Sequence, residues 1–315
     1  MKKIRVAVIG AGVFGRHHLR VLSQSLNATL VGVVDADRER AAQAAAGHNC
    51  LTFATLGELK GEIDAAVVAV PTSLHAEVGC ELLAAGIDVL VEKPIAADLA
   101  SARRLVDTAA EHQRILQIGH LERFNPAVAA LKKIASIPLF FEIHRLSLFS
   151  PRSLDVDVVL DLMIHDLDIV LDLAGAMPEE IRAAGISILS DKVDIANVRL
   201  AFPGGCIANL TASRVSTERV RKLRLFQPHQ YISLDYQKQE AVAYTVSGNR
   251  QIGFQPLPAV KEEPLRLEVE AFLASVADRT SPTVPGKEGL RALEVALAIL
   301  DKIEEHAKLV TQQLQ

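Results

Sequence analysis

The feature that most constrains this chain is a glycine-rich segment between an apolar run and the start of a predicted helix. Residues 4–9 are typical of a buried strand, and Gly10, Gly12 and Gly15 follow with Gly-x-Gly-x-x-Gly spacing. In such a segment the first glycine permits a tight turn, the second lets the backbone approach a pyrophosphate, and the third lets the helix pack closely. Unpaired amides and the positive end of the helix dipole then face the phosphates. The spacing therefore predicts a dinucleotide-binding strand–turn–helix unit.

A second predicted strand, residues 30–35, ends in Asp35, twenty residues beyond Gly15. A carboxylate at this position accepts hydrogen bonds from ribose hydroxyls and repels a 2′-phosphate, so the sequence favours NAD over NADP. Arg38, three residues further on, would weaken that preference. The residues predicted to contact NAD in this part of the chain are Gly10, Gly12, Val13, Phe14, Gly15 and Asp35.

Length, charge and cysteine content restrict the class of protein. With 315 residues, 50% of them hydrophobic, the chain is long enough to form two domains. Its net charge of −4, without a basic run, argues against nucleic acid as a partner, and no apolar stretch is long enough to predict a membrane span. The cysteines Cys50, Cys80 and Cys206 have neither a zinc-binding spacing nor that of a disulfide framework. These properties favour a cytoplasmic protein.

The first 118 residues alternate between predicted strands and helices. The predicted strands are residues 4–9, 30–35, 51–53, 63–70, 87–91 and 115–118, and the predicted helices are residues 14–25, 37–46, 74–85 and 98–112. Six strands with helical crossovers predict a doubly wound parallel sheet of the Rossmann type, in a domain spanning residues 1–119.

The pattern changes in a predicted second domain that spans residues 120–315. Its predicted elements are helices at 125–135 and 156–173, a strand at 138–147, six to eight antiparallel strands over 181–254, and helices after Pro264 and Gly286. Because few helices are available to cover this sheet, one of its faces is expected to bury against another subunit.

Lys93 follows the fifth predicted strand, within the tripeptide Glu92-Lys93-Pro94. In an open parallel sheet, ligands bind beyond the carboxyl ends of the strands, so Lys93 is predicted to lie near a nicotinamide ring. A partly desolvated lysine beside a cationic ring has a lowered pKa and can exchange a proton. The alternative is a surface lysine in the turn that leads into a helix.

Asp161 and His165 are four residues apart on a predicted helix, which puts both side chains on one face. The carboxylate can orient the imidazole as a base that removes a proton from an alcohol while hydride leaves the same carbon. The alternatives are a plain surface pair and two ligands of a metal ion. Since no further histidine or cysteine cluster has metal-binding spacing, no metal is predicted. The spacing does not assign the proton acceptor between Lys93 and His165.

The loop after the fourth predicted strand contributes Pro71, Thr72 and His75, and His75 is a candidate for lining the site. Other catalytic patterns are missing from the sequence. Each tyrosine lacks a lysine four residues later, which argues against a short-chain dehydrogenase. There is no Gly-x-Ser-x-Gly and no His-Glu-x-x-His, which argues against a hydrolase elbow and a zincin.

Together these segments resemble the glucose–fructose oxidoreductase / inositol dehydrogenase / MocA family. The matching segments are the loop from Gly10 to Gly15, the Val70-Pro-Thr-Ser-Leu-His75 segment, Glu92-Lys93-Pro94, and the Asp161/His165 pair. The resemblance implies a Rossmann domain and an α/β domain with an open, mostly antiparallel sheet on which oligomers are built. It also implies reversible hydride transfer at a sugar or cyclitol hydroxyl, with catalytic roles for Lys93, Asp161 and His165. NAD contacts are implied at Pro71, Thr72, His75, Glu92 and Lys93.

Within the family, residues 119–126, Ser150-Pro151-Arg152 and residues 159–166 resemble the UDP-N-acetylglucosamine 3-dehydrogenase branch. This implies oxidation of a sugar 3-hydroxyl that feeds 3-amino-sugar synthesis for lipid A or surface polysaccharide. The implied substrate contacts are Lys93, Glu122, Arg123, Asn125, Arg152, Asp161 and His165, with Arg123 suited to a diphosphate. The alternatives are a dehydrogenase of a free sugar or inositol, and a non-catalytic NAD-binding sensor.

Overall fold

The computed structural model describes residues 3–149, 156–246, 248 and 251–313. Within these residues the strands are β1 (Ile4–Ile9), β2 (Ala28–Val34), β3 (Leu51–Phe53), β4 (Ala65–Val68), β5 (Asp88–Glu92), β6 (Leu116–Gly119), β7 (Phe140–Leu148), β8 (Glu180–Ile186), β9 (Ile195–Ala201), β10 (Ile207–Ser216), β11 (Val220–Gln227), β12 (Gln230–Asp235), β13 (Glu240–Val246) and β14 (Ile252–Pro256). The α-helices are α1 (Val13–Gln24), α2 (Arg38–Ala46), α3 (His75–Ala84), α4 (Leu99–Glu111), α5 (Pro126–Lys132), α6 (Ile164–Ala174), α7 (Pro264–Asp278) and α8 (Gly286–Gln313).

The chain forms two compact units. Unit 1 contains Met1–Leu121 and Glu263–Leu290, and unit 2 contains Glu122–Glu262 and Arg291–Gln315. The chain leaves unit 1 close to the predicted division between residues 119 and 120. However, α7 belongs to unit 1, whereas the sequence division placed it in the second domain. Periodicity shows that a helix has an apolar face, but it does not show which sheet that face will cover.

Unit 1 is built on six parallel strands in the order β3-β2-β1-β4-β5-β6. Strands β4 and β5 are buried along their whole length, as expected for parallel strands that are covered on both faces. The core combines Leu19 and Leu22 of α1 with Val269 and Phe272 of α7. This strand order is that of the doubly wound dinucleotide-binding fold, so the prediction for the first sheet is confirmed.

Unit 2 is built on eight strands in the order β14-β13-β12-β11-β7-β10-β9-β8. The pair β7–β10 is parallel, and the other six neighbouring pairs are antiparallel. One sheet face forms a core in which Phe141 and Leu223 pack with Leu167 of α6 and Ile299 of α8. The prediction of a mostly antiparallel second sheet is confirmed.

The predicted helix over residues 156–173 differs from the structure at its start. A π-helical turn, Val159–Met163, comes first, and α6 follows from Ile164 to Ala174. Such a turn inserts an extra residue into a helix and often marks a functional site. Hydrophobic periodicity over a few residues does not resolve one inserted residue, so the prediction of a single regular helix missed this turn.

Among the helices in the described part of the chain, none is both long enough and apolar enough to span a membrane.

Candidate active site

The glycine-rich turn between β1 and α1 has the geometry of a phosphate-binding loop. Gly10 has a φ of 99°, and a Cβ on it would lie 2.5 Å from the carbonyl oxygen of Ala69. A Cβ on Gly15 would lie 1.8 Å from the carbonyl oxygen of Gly10, so a larger residue would push α1 away from β1. By contrast, apart from Gly12, its chain neighbours and the nearby backbone of α1, no atom of the described residues lies within 4 Å of a Cβ on Gly12, the N-cap of α1. That space, beside the first amides of the helix, fits a bound pyrophosphate.

Two predicted cofactor contacts, Val13 and Phe14, form the exposed first turn of α1. The first turn contains no acidic residue, so nothing in it opposes an anion at the positive end of the helix. Both features agree with the predicted phosphate site.

Asp35 follows β2 directly, and other parts of unit 1 already use its carboxylate. Oδ2 accepts a hydrogen bond from the amide of Ala11 at 2.7 Å, and Oδ1 accepts one from the amide of Asp37 at 2.8 Å. The guanidinium of Arg40 donates to Oδ2 at 3.0 Å and to Oδ1 at 2.6 Å. Burial opposes ionisation, but these hydrogen bonds outweigh it and hold the pKa of Asp35 below its usual value.

The carboxylate of Asp35 is therefore engaged within unit 1, and its contact with a ribose stays a prediction. A carboxylate has about four accepting positions, and four donors use those of Asp35. Asp35 fastens the glycine-rich loop to α2, and the arginine beside it is Arg40 rather than Arg38. The sequence did not indicate this pair, because an arginine in the first turn of a helix is normally a solvated residue.

His75 connects the loop after β4 to the turn after β5. Its Nδ1 lies 2.8 Å from the carbonyl oxygen of Pro94, and its Nε2 lies 3.0 Å from that of Val70. Burial lowers the pKa of His75, and a neutral imidazole donates only one of these two hydrogen bonds. His75 thus binds the two loops to each other, and its contact with a cofactor stays a prediction. Pro71 is exposed and Thr72 is half-buried in the turn that precedes it.

Lys93 and Glu92 lie at the carboxyl end of β5. Lys93 is half-buried, and the Lys93–Pro94 peptide bond is cis. The Glu92 side chain is engaged within unit 1, since its Oε1 lies 2.6 Å from Nε2 of His18. Lys93 therefore has the strand-end position in which this fold binds ligands. Glu92 contacts α1, and its contact with a cofactor stays a prediction.

Asp161 and His165 lie on consecutive turns of unit 2. Asp161 belongs to the π-helical turn, His165 belongs to the first turn of α6, and both are half-buried. A half-buried imidazole close to a carboxylate in sequence is a common arrangement for a general base.

The residue next to His165 is held by a buried ion pair. Arg145 of β7 donates from Nε and Nη2 to the two oxygens of Asp166, at 2.6 and 2.8 Å, and from Nη1 to Glu122 at 3.0 Å. Burial opposes the charge, but these carboxylates raise the pKa of Arg145 well above its usual value. Arg145 was not among the residues that the sequence pattern indicated. The signal that could have indicated a buried ion pair is the position of this arginine on the core-facing side of β7, two residues beyond Ile143.

The segment after β6 is buried and its polar side chains contact other residues of unit 2, while their binding of substrate stays a prediction. The Arg123 guanidinium has Nη1 at 2.7 Å from Asp172 and Nε at 3.6 Å from Asp168. Asn125 caps α5, because its Oδ1 accepts a hydrogen bond from the amide of Ala127 at 3.1 Å. The carboxylates that Arg123 contacts are too distant in sequence for a local pattern to indicate them, whereas the cap formed by Asn125 is a local contact.

The other predicted substrate contacts differ in how far they are buried. Glu122 is buried against Arg145, so its carboxylate is also engaged within unit 2. Arg152 lies outside the described residues. Lys93, Asp161 and His165 are the predicted substrate contacts that are half-buried, as expected of groups that must meet a ligand.

These features define a class of protein. A parallel sheet in the order 3-2-1-4-5-6, a glycine loop with room for a pyrophosphate and a lysine at a strand end are features of a dinucleotide-dependent oxidoreductase. A family model described as "Oxidoreductase family, NAD-binding Rossmann fold" matches residues 4–120. A second model, described as "GFO/IDH/MocA C-terminal domain", matches residues 146–228.

Known proteins are similar to this chain over nearly its whole length. A UDP-N-acetylglucosamine 3-dehydrogenase from Acidithiobacillus ferrooxidans is 37% identical over 310 residues, covering 96% of this chain and 98% of the relative. A solved structure of UDP-N-acetylglucosamine 3-dehydrogenase from that organism has a TM-score of 0.92 at 36% identity, covering 97% of this chain and 99% of the other. An inositol 2-dehydrogenase from Rhizobium meliloti is 26% identical over 323 residues, covering 96% and 97%.

The chain belongs to the GFO/IDH/MocA family of oxidoreductases. The predictions of this family, of a dehydrogenase and of an NAD-binding first domain are therefore confirmed.

Proposed function

We propose that this chain oxidises the 3-hydroxyl of a UDP-sugar resembling UDP-N-acetylglucosamine, with NAD as the hydride acceptor. The observation that carries the proposal is the 37% identity to a UDP-N-acetylglucosamine 3-dehydrogenase over 96% of the chain. The half-buried Lys93, Asp161 and His165 support it, since they provide the groups that alcohol oxidation needs.

In the proposed reaction, Gly10, Gly12 and Gly15 would hold the pyrophosphate of NAD, whose nicotinamide would supply a hydride acceptor. His165 takes the proton of the substrate hydroxyl, and Asp161 stabilises the charge that the imidazole acquires. Lys93 stabilises the developing alkoxide and shares in the proton transfer. The resulting 3-keto sugar nucleotide would serve an aminotransferase that installs an amino group for lipid A or surface polysaccharide.

A second candidate is oxidation of a free sugar or inositol. It is favoured by the 26% identity to an inositol 2-dehydrogenase over 96% of this chain. Sugar nucleotide and free polyol differ in the diphosphate, so comparison of the two substrate types separates the candidates.

The test is a steady-state assay of NADH formation with UDP-N-acetylglucosamine, free N-acetylglucosamine and myo-inositol. An aminotransferase with its amino donor is coupled to the assay, because a 3-keto product would otherwise drive the reaction backwards. Turnover of the UDP-sugar alone supports the proposal. Turnover of myo-inositol or a free hexose, with none of any UDP-sugar, would assign the chain to the second candidate.

Two variants test the catalytic groups in the same assay. Lys93→Ala and His165→Ala should each lower kcat by about 100-fold or more, on the scale of acid–base catalysis, with little change in the Kd for NAD. Lys60→Ala removes an exposed lysine of unit 1 and is the matched control. If either catalytic-site variant retains the kcat of the wild type, the role proposed for that residue is wrong.

We further propose a cytoplasmic homo-oligomer, a dimer or tetramer, formed through the sheet of unit 2. The sheet face opposite the core carries a ladder of neighbouring rings across five strands, namely Phe140, Phe226, Tyr231, Tyr244 and Phe254. Phe254 is 63% exposed at the end of this ladder. A contiguous apolar surface of this kind is typical of a protein–protein contact.

A further inference from the structure

Three buried titratable side chains meet inside unit 1, and the proposed reaction uses none of them. They are His18 of α1, Glu92 of β5 and Glu268 of α7. One nitrogen or oxygen atom of each lies within 4.8 Å of those of the other two, and both His18 and Glu268 are 0% exposed. Glu92 directly precedes Lys93 in the chain.

The contacts of this cluster determine where a proton is needed. Nε2 of His18 and Oε1 of Glu92 are 2.6 Å apart, which is the length of a strong charge-assisted hydrogen bond. The two oxygens of Glu268 have no hydrogen-bond partner among the described residues. A buried carboxylate without a donor is strongly disfavoured as an anion, and the nearby charge of Glu92 disfavours it further. A neutral Glu268 avoids both the cost of an unpaired buried charge and the repulsion from Glu92.

The groups around the cluster agree with this assignment. From β6, Gln117 donates its side-chain amide to the backbone oxygen of Glu268 at 3.2 Å, and a Cβ on Gly119 would lie 3.0 Å from Oε2 of Glu92. Neither residue can titrate. His120, which follows β6, is a further buried titratable group. Burial, together with the charge of Glu92, raises the pKa of Glu268 well above its usual value.

A histidine with two carboxylates is also a possible set of ligands for a divalent ion such as Zn²⁺. Two ligands about 2.0 Å from a tetrahedral zinc are roughly 3.3 Å apart. The separation of 2.6 Å between Nε2 of His18 and Oε1 of Glu92 is shorter and matches a shared proton. The geometry therefore favours protons over a metal ion in this cluster.

We propose that Glu268 carries a proton at neutral pH, and that the cluster of His18, Glu92 and Glu268 positions the backbone from which Lys93 extends. The cluster brings α1, β5 and α7 together: His18 of α1 holds the side chain of Glu92 immediately before Lys93, and the carboxyl group of Glu268 from α7 lies within 4.8 Å of this pair. The positioning part rests on the proposed function, whereas the protonation of Glu268 does not. Glu268 is thus a positioning residue that holds a neutral acid beside the Glu92–His18 pair.

The first experiment compares the unfolding of the wild type and Glu268→Gln between pH 6 and 8. Folded Glu268 keeps its proton in this range, while unfolded Glu268, with a pKa of about 4.3, has released it. The wild type therefore loses stability relative to the glutamine variant as the pH rises. The ratio of the two unfolding equilibrium constants should change by about tenfold per pH unit. A ratio that does not change with pH would overturn the proposal.

Two direct readouts accompany this comparison and do not depend on activity. Infrared difference spectra of wild type and Glu268→Gln should show the carbonyl stretch of a protonated carboxylic acid in the wild type alone. Elemental analysis of the purified protein should find no stoichiometric divalent ion. A missing carbonyl band, or one equivalent of zinc that a chelator removes with loss of stability, would each contradict a proton at Glu268.

The positioning role is tested by kcat with the best substrate of the coupled assay. Glu268→Ala removes the side chain, and Glu268→Gln replaces the neutral acid with a neutral group of the same shape. The kcat of the glutamine variant should exceed that of the alanine variant by about tenfold or more, because small displacements of a catalytic group are costly, while the Kd for NADH stays similar. Equal kcat values for the two variants would overturn the positioning role, even where the unfolding and infrared results support the proton.

Discussion

At the scale of single residues, several polar side chains that the sequence presented as ligand contacts are engaged within the protein. Arg123 contacts Asp168 and Asp172, and Asp35 contacts Arg40. A buried charge needs a partner, and removal of that partner leaves an uncompensated charge that is expensive to keep. Such residues therefore act first on stability, and their substitution should be measured as a change in unfolding free energy.

Arg123→Ala should lower the free energy of unfolding by about 3–5 kcal/mol, because Asp168 loses its buried partner and Asp172 keeps only the partly exposed Lys132. Lys132→Ala is the matched control. Lys132 contacts the same Asp172 but has a side chain that is 41% exposed, so its loss should cost no more than about 1 kcal/mol. Urea unfolding of the full chain measures both variants. If Arg123→Ala unfolds like the wild type and loses only affinity for a UDP-sugar, the stabilising role is wrong and the substrate-contact prediction is supported.

Asp35 leads to a prediction about cofactor choice. The wild type should bind NADH more tightly than NADPH, and Asp35→Ala should narrow the difference because it removes a negative charge and releases Arg40 for a 2′-phosphate. The double variant Asp35→Ala/Arg40→Ala should lose that gain for NADPH. Titration with NADH and NADPH gives a pair of Kd values for each of four proteins: the wild type, the two single variants Asp35→Ala and Arg40→Ala, and the double variant. Wild-type protein that binds NADPH as tightly as NADH would contradict the preference.

At the scale of one element, α6 combines a candidate catalytic residue with three carboxylates. His165 lies in its first turn, Asp166 binds Arg145, and both Asp168 and Asp172 contact Arg123. Burial raises the pKa of Asp168 to about 7, even though Arg123 acts in the opposite direction. The helix that carries His165 therefore contains an acid that titrates near neutral pH.

Asp168→Asn should change how stability depends on pH. Folded Asp168 has a pKa of about 7, while an unfolded aspartate has one of about 3.9. Between these values the folded state binds more protons, so this residue makes the wild type less stable as the pH rises from about 4 to 7. The asparagine variant lacks this contribution.

Between about pH 4 and 7, the free energy of unfolding of Asp168→Asn should therefore rise relative to that of the wild type by up to about 1.4 kcal/mol for each pH unit. Chemical unfolding at several pH values measures it. Asp191→Asn is the control, because Asp191 is exposed in the turn between β8 and β9. A constant difference from pH 4 to 7 would show that Asp168 is ionised throughout and held by Arg123.

At the scale of the whole molecule, the aromatic ladder of unit 2 predicts an assembly. Replacing Tyr244 and Phe254 together by serine should lower the mass found by light scattering during gel filtration, because their neighbouring rings form part of the proposed contact. Val260→Ser is the control, since Val260 is 81% exposed and is not part of the ladder. An unchanged mass for the double variant, or a wild type that is already monomeric, would rule out assembly through these rings.

The sequence by itself determined the features that depend on short stretches of chain. Glycine spacing specified the loop between β1 and α1, because a left-handed φ at Gly10 and close packing at Gly15 are local backbone requirements. Apolar runs and alternation specified most strands, since the side-chain period reports which faces are buried. Lys93 could be assigned to a strand end because it comes just after the apolar run that predicts the fifth strand. Motifs at these positions were enough to identify the family.

The tertiary structure alone decided which distant residues become partners. Arg123 meets Asp172, Asp35 meets Arg40, and Glu268 of α7 joins His18 and Glu92 in unit 1. A local pattern contains the burial preference of a side chain but not the identity of the group that will compensate its charge. That identity depends on how elements far apart in the chain pack, and burial then makes each unpaired charge costly. For this reason the backbone geometry of the glycine-rich loop was predictable, whereas the buried ionic network was not.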